Sequence, residues 1–274
     1  MAETAGTGIA DAVGCTDPAT AVACLRGTPV GRLIDAPNQG FALVRGTPTL
    51  PLDPAAAVAS GQFARVPVVI GANRDEGRTF AQGFIGSTRE QYVAWVRDSF
   101  GATADPVLAR YPWPADADRF TAAYLIGAIM TDSGLVAGIG GCANRRLTRD
   151  LARWTPTWAY EFAHRTGPGL TPIPGYVWGA GHAAELAYLF PSFDNGTPIA
   201  PTFDAAERRL ARDMKRSWGA FTLRGTPNGP GLAHWPRYDR TGPVLSLRAG
   251  GQSRPISDVR FVAEHQCAFW DSLA

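Results

Sequence analysis

The chain has 274 residues, of which 45% are hydrophobic and 18% are charged, so it can bury a substantial core and is unlike a disordered or fibrous protein. Its 26 basic and 24 acidic residues are spread along the sequence, and this pattern excludes nucleic acid as an expected partner. We expect no membrane span, since no stretch approaches about 18 consecutive apolar residues, and the first residues do not have the pattern of a signal peptide.

In chain order, the hydrophobic pattern predicts few strands and many helices. Strands are predicted at residues 41–45, 66–71, 157–163 and 244–248. Strands that alternate with helices predict an α/β fold with a largely parallel sheet. Four strands are few for so many helices to cover, so we expect the central sheet to be incomplete.

The clearest helix begins at Asp204, whose side chain can cap it together with Glu207, three residues later. It is predicted to end at Gly225. The residues of one apolar stripe follow at spacings of four, four and three, and they are Leu210, Met214, Trp218 and Phe221. We interpret this stripe as core packing.

Two segments carry polar residues in unusual surroundings. The predicted strand 66–71 is followed by Asp75 and Glu76 and then a glycine, a pattern that is also typical of an ordinary solvated turn. Residues 167–181 are rich in glycine and proline and lead directly to His182. Ordered loops of this length are more often functional than mere connections.

Five blocks of sequence then resemble one family. The blocks are VPVVIGANRDEG, WGAGHAAELAYLF, WGAFTLRGTPN, HWPRYD and CAFWDSL. In this order they resemble the C-terminal half of the type B carboxylesterases, the cholinesterase-like branch of the α/β hydrolases. The resemblance implies that residues 1–274 form a single, partial α/β-hydrolase domain without the N-terminal half that bears the nucleophile. It also implies hydrolysis of carboxylic esters through a serine acyl intermediate, without a cofactor.

The resemblance assigns the acid of a catalytic triad to Glu76 and its histidine to His182. Their order along the chain fits the α/β hydrolases, in which the acid follows a strand and the histidine lies on a later loop. His182 would transfer the nucleophile's proton to the leaving alcohol, and Glu76 would stabilise the imidazolium. Asp75 is expected to point away from the imidazole.

The other candidate residues have simpler interpretations. His164, His234 and His265 are predicted to be packing or surface residues. Glu185 is either a buried acid near the site or an acid that favours a helix N-terminus. The histidines are isolated and no Cys-x-x-Cys pair is present, so we expect no metal site.

The expected nucleophile is missing from this sequence. No serine has the Gly-x-Ser-x-Gly surroundings of a nucleophile elbow, and the glycine-rich oxyanion loop is also absent. We therefore expect the nucleophile to come from a complementing N-terminal half, and the chain alone to be nearly inactive. Two alternatives are a catalytically silent binding or adhesion module, and a hydrolase that uses Cys142 or Ser133 as its nucleophile.

Four cysteines occur in the sequence, and they are either reduced buried thiols or two disulfides. The resemblance implies a short disulfide between Cys15 and Cys24 and a long one between Cys142 and Cys267. Disulfides persist in oxidising compartments, so this pairing predicts a secreted or periplasmic protein.

Overall fold

The computed structural model describes residues 2–37, 43–136, 138–171 and 173–273. The chain divides into two compact units, Met1–Ser60 and Gly61–Ala274. Within the described ranges, no helix is long and apolar enough to cross a lipid bilayer.

The first unit consists of short helices around a small core. Its described helices are α1 (Ala2–Ala12), α2 (Ala21–Gly27), α3 (Val30–Asp35) and α4 (Pro54–Ser60). The buried residues of this core are Ala10, Val13, Cys15 and Ala36. A core of this size buries little apolar surface, so covalent restraint gains importance. That restraint is the Cys15–Cys24 disulfide, which confirms the first predicted pairing.

The strand predicted at residues 41–45 lies partly outside the described residues, since the structure describes neither residue 41 nor residue 42. Its described part, residues 43–45, forms no strand, so the prediction is wrong there. The chain turns immediately afterwards, where the Gly46 amide donates to the Leu50 carbonyl at 2.8 Å. An extended segment needs a neighbouring strand for its backbone groups, and residues 43–45 pair with none in the part of the chain that the structure describes.

The second unit is a mixed α/β structure, which confirms the predicted fold class. Its strands are β1 (Val68–Asn73), β2 (Thr157–Phe162), β3 (Val244–Leu247) and β4 (Arg254–Ile256). Its described α-helices are α5 (Gly77–Phe80), α6 (Arg89–Phe100), α7 (Ala104–Arg110), α8 (Thr121–Ser133), α9 (Gly141–Ala152), α10 (Leu186–Leu189), α11 (Ala205–Arg224), α12 (Asp258–Glu264) and α13 (Cys267–Ser272).

The four strands form one sheet in the order β1-β2-β3-β4. The first three are parallel, with Asn73 opposite Phe162 and Phe162 opposite Leu247, whereas β4 runs antiparallel to β3. The carboxyl ends of three parallel strands therefore lie at one edge of the sheet, and the segments that follow them lie together there. Ligand and catalytic groups of α/β proteins commonly lie at this edge.

Helices cover both faces of the sheet, because successive side chains of a strand point to opposite sides. On one face, the rings of Trp158 and Tyr160 in β2 pack edge-on against Phe221 and Trp218 of α11. On the other face, Glu161 of β2 bonds to a residue at the end of α12. Strand β2 is therefore buried on both sides, as expected for a central parallel strand.

The local patterns placed the one predicted helix and three of the four predicted strands close to where the structure has them. Helix α11 begins with the predicted capping box, in which the Asp204 side chain accepts from the Glu207 amide at 2.7 Å, and it ends at Gly225 with φ of 70°. Strand β1 begins two residues later than predicted because Pro67 has no amide to donate. Strand β4 was not predicted, since its three residues include a proline, which a strand tolerates at a sheet edge.

Candidate active site

The acid loop, residues 74–76, follows the carboxyl end of β1 and leads into α5. The Glu76 side chain is buried, and its Oε1 accepts a hydrogen bond from the Asn73 amide at 2.7 Å. The next residue, Gly77, donates its amide to Thr131 Oγ1 of α8 at 2.9 Å. A Cβ at Gly77 would lie 2.1 Å from the carbonyl oxygen of Gly127, so only glycine allows the loop to approach α8 this closely. The position of Glu76 is therefore fixed by β1 and α8.

The histidine loop, residues 163–185, connects β2 to α10 and carries His182. The His182 amide donates to the Glu76 carbonyl at 3.2 Å, and Thr79 Oγ1 donates to the His182 carbonyl at 3.2 Å. The next residue, Ala183, has φ of 67°, a left-handed conformation that costs a residue with a Cβ about 1–2 kcal/mol. The neighbouring contacts hold this conformation in place.

The structure brings the Glu76 carboxylate and the His182 imidazole together across 106 residues of sequence. Glu76 Oε2 lies 2.8 Å from His182 Nδ1. The His182 side chain is 45% exposed, and Nε2 has no hydrogen-bond partner among the residues that the structure describes. The Phe80 ring lies 4.9 Å from the imidazole, centroid to centroid. One ring nitrogen is thus held by a carboxylate, and the other is open to solvent.

The electrostatics of the pair favour a charged imidazole. The hydrogen bond to Glu76 raises the pKa of His182 above its ordinary value, and partial burial of the ring opposes this effect. The negative charges of Glu76 and Glu185 act in the same direction as the hydrogen bond. The surroundings of His182 therefore stabilise the protonated form that a general base reaches when it accepts a proton.

Glu185 lies beside this pair and is linked to it through Asn73. The side-chain amide of Asn73 donates through Nδ2 to the Gly181 carbonyl at 2.8 Å and also to Glu185 Oε2. Burial raises the pKa of the Glu185 carboxyl. Glu185 directly precedes α10, but its side chain makes no capping bond there. The geometry favours the interpretation of Glu185 as a partly buried acid near the site, and its role stays a prediction.

The other histidines lie apart from Glu76. His164 Nε2 is 3.1 Å from Glu207 Oε1, and His234 is exposed. His265 directly follows α12, and it is fully buried.

Sequence reasoning missed the role of His265, which bridges two buried carboxylates. Its Nδ1 lies 2.9 Å from Asp132 Oδ1, and its Nε2 lies 2.8 Å from Glu161 Oε1. Burial opposes a charge on this ring, but the bonds to Asp132 and Glu161 outweigh it and raise the pKa of His265 to about 9. We call these three residues the buried cluster. Asp132 and Glu161 lie 133 and 104 residues before His265 in the sequence, so no local pattern identifies the cluster.

The long disulfide joins Cys142 of α9 to Cys267 of α13, with a Cα separation of 5.3 Å. This bond confirms the second predicted pairing. It also removes Cys142 as an alternative nucleophile, because a disulfide sulfur is not a thiolate.

The described serines offer no replacement for the elbow serine. Ser133 Oγ, at the end of α8, accepts from the Leu135 amide at 3.0 Å, and Ser253 Oγ bonds to backbone atoms of Arg248. Within the described ranges, neither hydroxyl bonds to His182. Among these residues, the His182 imidazole therefore bonds to a carboxylate but to no hydroxyl group.

Comparison with known proteins identifies the family of this chain. The carboxylesterase family model matches residues 2–270. A fumonisin B1 esterase of Sphingopyxis macrogoltabida is 30% identical over 80% of this chain and 37% of its own length. A human cocaine esterase is 27% identical over 98% of this chain and 49% of its own length, and a rat acylcarnitine hydrolase is 29% identical over 98% and 48%. The chain thus spans half or less of the length of these relatives, and it belongs to the carboxylesterase family.

Proposed function

We propose that this chain supplies the acid and the base of a serine-type catalytic triad that hydrolyses carboxylic esters. The observation that carries the proposal is the bond of 2.8 Å between Glu76 Oε2 and His182 Nδ1, with Nε2 left open. A carboxylate on Nδ1 favours the tautomer in which Nε2 accepts a proton. The exposed side of the ring is the side that a nucleophile would have to reach.

In the proposed reaction, a serine hydroxyl attacks the ester carbonyl while His182 Nε2 takes its proton. The imidazolium then protonates the leaving alcohol, and a water molecule releases the acid from the serine in a second cycle of the same kind. The Glu76 carboxylate keeps the ring in place and stabilises the imidazolium. The raised pKa of His182, caused mainly by its hydrogen bond to Glu76, supports this role.

The serine and the oxyanion donors would come from residues outside this sequence, because the 274 residues contain no Gly-x-Ser-x-Gly. We assign residues 1–274 to one catalytic domain, and the family match over residues 2–270 supports this assignment across both compact units. The partner that completes the site is proposed to be a nucleophile-bearing portion of the same fold.

The proposed substrate is a small carboxylic ester. The names of the relatives specify esterases for fumonisin B1 and cocaine and a hydrolase for acylcarnitine, which supports the general class of substrate but not one acyl or alcohol group. A silent binding module would have no need for a carboxylate bonded to a half-exposed imidazole, so the observed pair argues against that alternative.

We further infer that the protein folds in an oxidising compartment, and that it is secreted or periplasmic. Two disulfides support this inference, because such bonds persist outside the reducing cytosol. Counting free thiols in unreduced protein purified from its native host tests it. Four free thiols would contradict it.

The proposed function is tested by joining this chain to the Gly-x-Ser-x-Gly portion of a type B carboxylesterase. We expect the assembly to hydrolyse p-nitrophenyl acetate and to be labelled by a fluorophosphonate at the added serine. The chain alone should hydrolyse the ester barely faster than a buffer of similar basicity, since it has no elbow serine to form an acyl-enzyme.

Two variants make the test specific. His182→Ala should abolish turnover of the assembly, whereas His234→Ala, at an exposed histidine, should leave it unchanged. Rapid turnover by the 274-residue chain alone, with the probe attached to one of its own serines, would overturn the proposal.

A further inference from the structure

Asp75 precedes the proposed triad acid, but its carboxylate bonds to the histidine loop rather than to the imidazole. Arg165 Nε donates to Asp75 Oδ2 at 2.8 Å, and Arg165 Nη2 donates to Oδ1 at 2.9 Å. The Ala180 amide donates to Oδ2 at 2.9 Å. The Asp75 side chain is only 11% exposed, whereas the Arg165 side chain is 43% exposed. One carboxylate thus joins the beginning of the histidine loop to the segment just before His182.

The backbones of the two loops are also paired next to this carboxylate. The Asp75 amide donates to the Ala180 carbonyl at 2.8 Å, and the His182 amide donates to the Glu76 carbonyl at 3.2 Å. Asp75 and Ala180 therefore exchange two hydrogen bonds, one through the side chain and one through the backbone. The next pair along the two segments contains both proposed triad residues.

The histidine loop fits closely around the Asp75 carboxylate. Gly179 has φ of 61°, and a Cβ at this position would lie 2.5 Å from Asp75 Oδ2. Four residues after Gly179, Ala183 is held in the left-handed conformation. A disfavoured conformation persists only where surrounding contacts determine it. The Asp75 contact at Ala180 lies three residues before Ala183, and the bonds of Asn73 to Gly181 and of Glu76 and Thr79 to His182 continue this restraint toward Ala183.

The imidazole itself has few restraints. Its hydrogen bond is to Glu76, its ring contact is to Phe80, and its side chain is nearly half exposed. Its distance from Glu76 therefore depends on where the backbone of residues 180–183 is held.

We propose that Asp75 is a positioning residue whose carboxylate holds the histidine loop so that His182 stays bonded to Glu76. The inference rests on the proposed function, because it takes the Glu76 and His182 pair as the catalytic one. It gives adjacent acids separate tasks, in which Glu76 acts on the imidazole and Asp75 acts on the backbone that carries it.

Two variants distinguish a positioning role from a purely electrostatic role, because the two roles predict different shifts in the pKa of His182. Asp75→Ala removes a negative charge and Arg165→Gln removes a positive charge. If these residues act on His182 through charge alone, the two variants shift the pKa of His182 in opposite directions. If they position the loop, both variants loosen the bond to Glu76 and both lower that pKa.

The test uses the 274-residue chain labelled with ¹⁵N-histidine, and NMR follows the titration of His182. Asp75→Ala and Arg165→Gln are compared with Glu76→Gln, which removes the bonded carboxylate directly. The matched control is Asp213→Asn, which removes an exposed carboxylate of α11 that lies 3.8 Å from Arg209. Hydrogen exchange at the His182 amide gives a second measurement on the same samples.

We expect Glu76→Gln, Asp75→Ala and Arg165→Gln each to lower the pKa of His182, and Asp213→Asn to leave it unchanged. Exchange at the His182 amide should become at least about tenfold faster in Asp75→Ala. If Asp75→Ala does not fold, Asp75→Asn, which keeps the size and one oxygen acceptor, should give the same signs with smaller shifts.

The outcomes separate the two proposals. If Glu76→Gln leaves the His182 titration unchanged, the proposed catalytic pair is wrong. If Glu76→Gln lowers the pKa but Asp75→Ala and Arg165→Gln shift it in opposite directions or not at all, only the role of Asp75 is overturned.

Discussion

Two histidines of this protein bond to carboxylates through Nδ1 at nearly the same distance, but their surroundings differ. His182 lies 2.8 Å from Glu76, is nearly half exposed and has no partner on Nε2 among the described residues. His265 lies 2.9 Å from Asp132, is fully buried and has Glu161 on Nε2. An Nδ1 carboxylate is therefore insufficient to identify a catalytic histidine. What distinguishes the proposed catalytic ring is an Nε2 that is accessible and unoccupied.

The largest expected effect is on catalytic activity, and it distinguishes His182 from His265. In the assembled esterase, His182→Ala should lower kcat by about 10⁴- to 10⁶-fold, since removing a triad histidine abolishes proton transfer. The same variant should change the free energy of unfolding by less than about 1 kcal/mol, because the Glu76 bond is partly solvated. Steady-state kinetics and urea unfolding measure the two quantities. A kcat within tenfold of the parent would break the comparison.

The next effect concerns the disulfide beside the buried ring. Gly141, next to Cys142, packs so closely on His265 that an added Cβ would lie 2.6 Å from the imidazole. Replacing Cys142 and Cys267 by alanine should cost about 4–5 kcal/mol, because the bond closes a loop of 125 residues. Tryptophan fluorescence in urea reports this loss, since all eight tryptophans lie in the second unit.

The matched control is removal of the Cys15–Cys24 disulfide, which spans only nine residues and should cost about 2–3 kcal/mol. The NMR titration of His182 should stay the same in the long-disulfide variant under conditions in which it is folded. A larger effect from the short disulfide would contradict the assignment of the long bond to the buried region.

The third effect is on the free energy of unfolding, which should depend on His265 far more than on His182. His265→Gln leaves two buried carboxylates without a cation between them and should lower the free energy of unfolding by about 3–5 kcal/mol. His182→Gln should lower it by less than about 1 kcal/mol. Urea unfolding of both variants at neutral pH makes the comparison. Equal losses would show that exposure does not distinguish the two pairs.

The smallest effect is the pH dependence of the buried cluster. The pKa of His265 is raised from 6.5 to about 9 in the folded chain, so the folded state holds a proton that the unfolded state releases. Its stabilising contribution should be complete below about pH 6.5, decline as pH rises, and be lost above about pH 9. The Arg74 guanidinium also faces this cluster, 3.8 Å from Glu161.

Urea unfolding at several pH values between 6 and 9.5 tests this dependence. The His265→Gln variant should lose most of the slope, whereas His182→Gln should keep it. A parent protein whose stability rises over this range would show that the ring is neutral when folded.

Local sequence patterns were sufficient for much of the fold but not for the ionic groups. Strands β2 and β3 and helix α11 follow from alternation, apolar runs and a capping box, all of which act over a few residues. Strand β4 could not be predicted from such patterns, because three residues that include Pro255 form a strand only when β3 is beside them. The extended conformation predicted at residues 43–45 lacks such a neighbour.

The candidate site shows the same limit at longer range. The resemblance to type B carboxylesterases singled out Glu76 and His182, and no pattern within the chain could have joined residues 106 positions apart. Nor could the sequence show that the Asp75 carboxylate bonds to Arg165 and Ala180 while the Glu76 carboxylate bonds to the His182 imidazole. The direction of each side chain depends on how α8 and the histidine loop close around the acid loop.

The left-handed conformation of Ala183 also bears on engineering the protein. Glycine is an obvious substitution at such a position when a more stable variant is sought, because glycine adopts positive φ without steric cost. Ala183→Gly would remove that cost but also allow the backbone beside His182 to sample other conformations. The variant could therefore gain in melting temperature while the His182 imidazole becomes less ordered. A screen for stability alone would not detect this loss of order at the proposed catalytic pair.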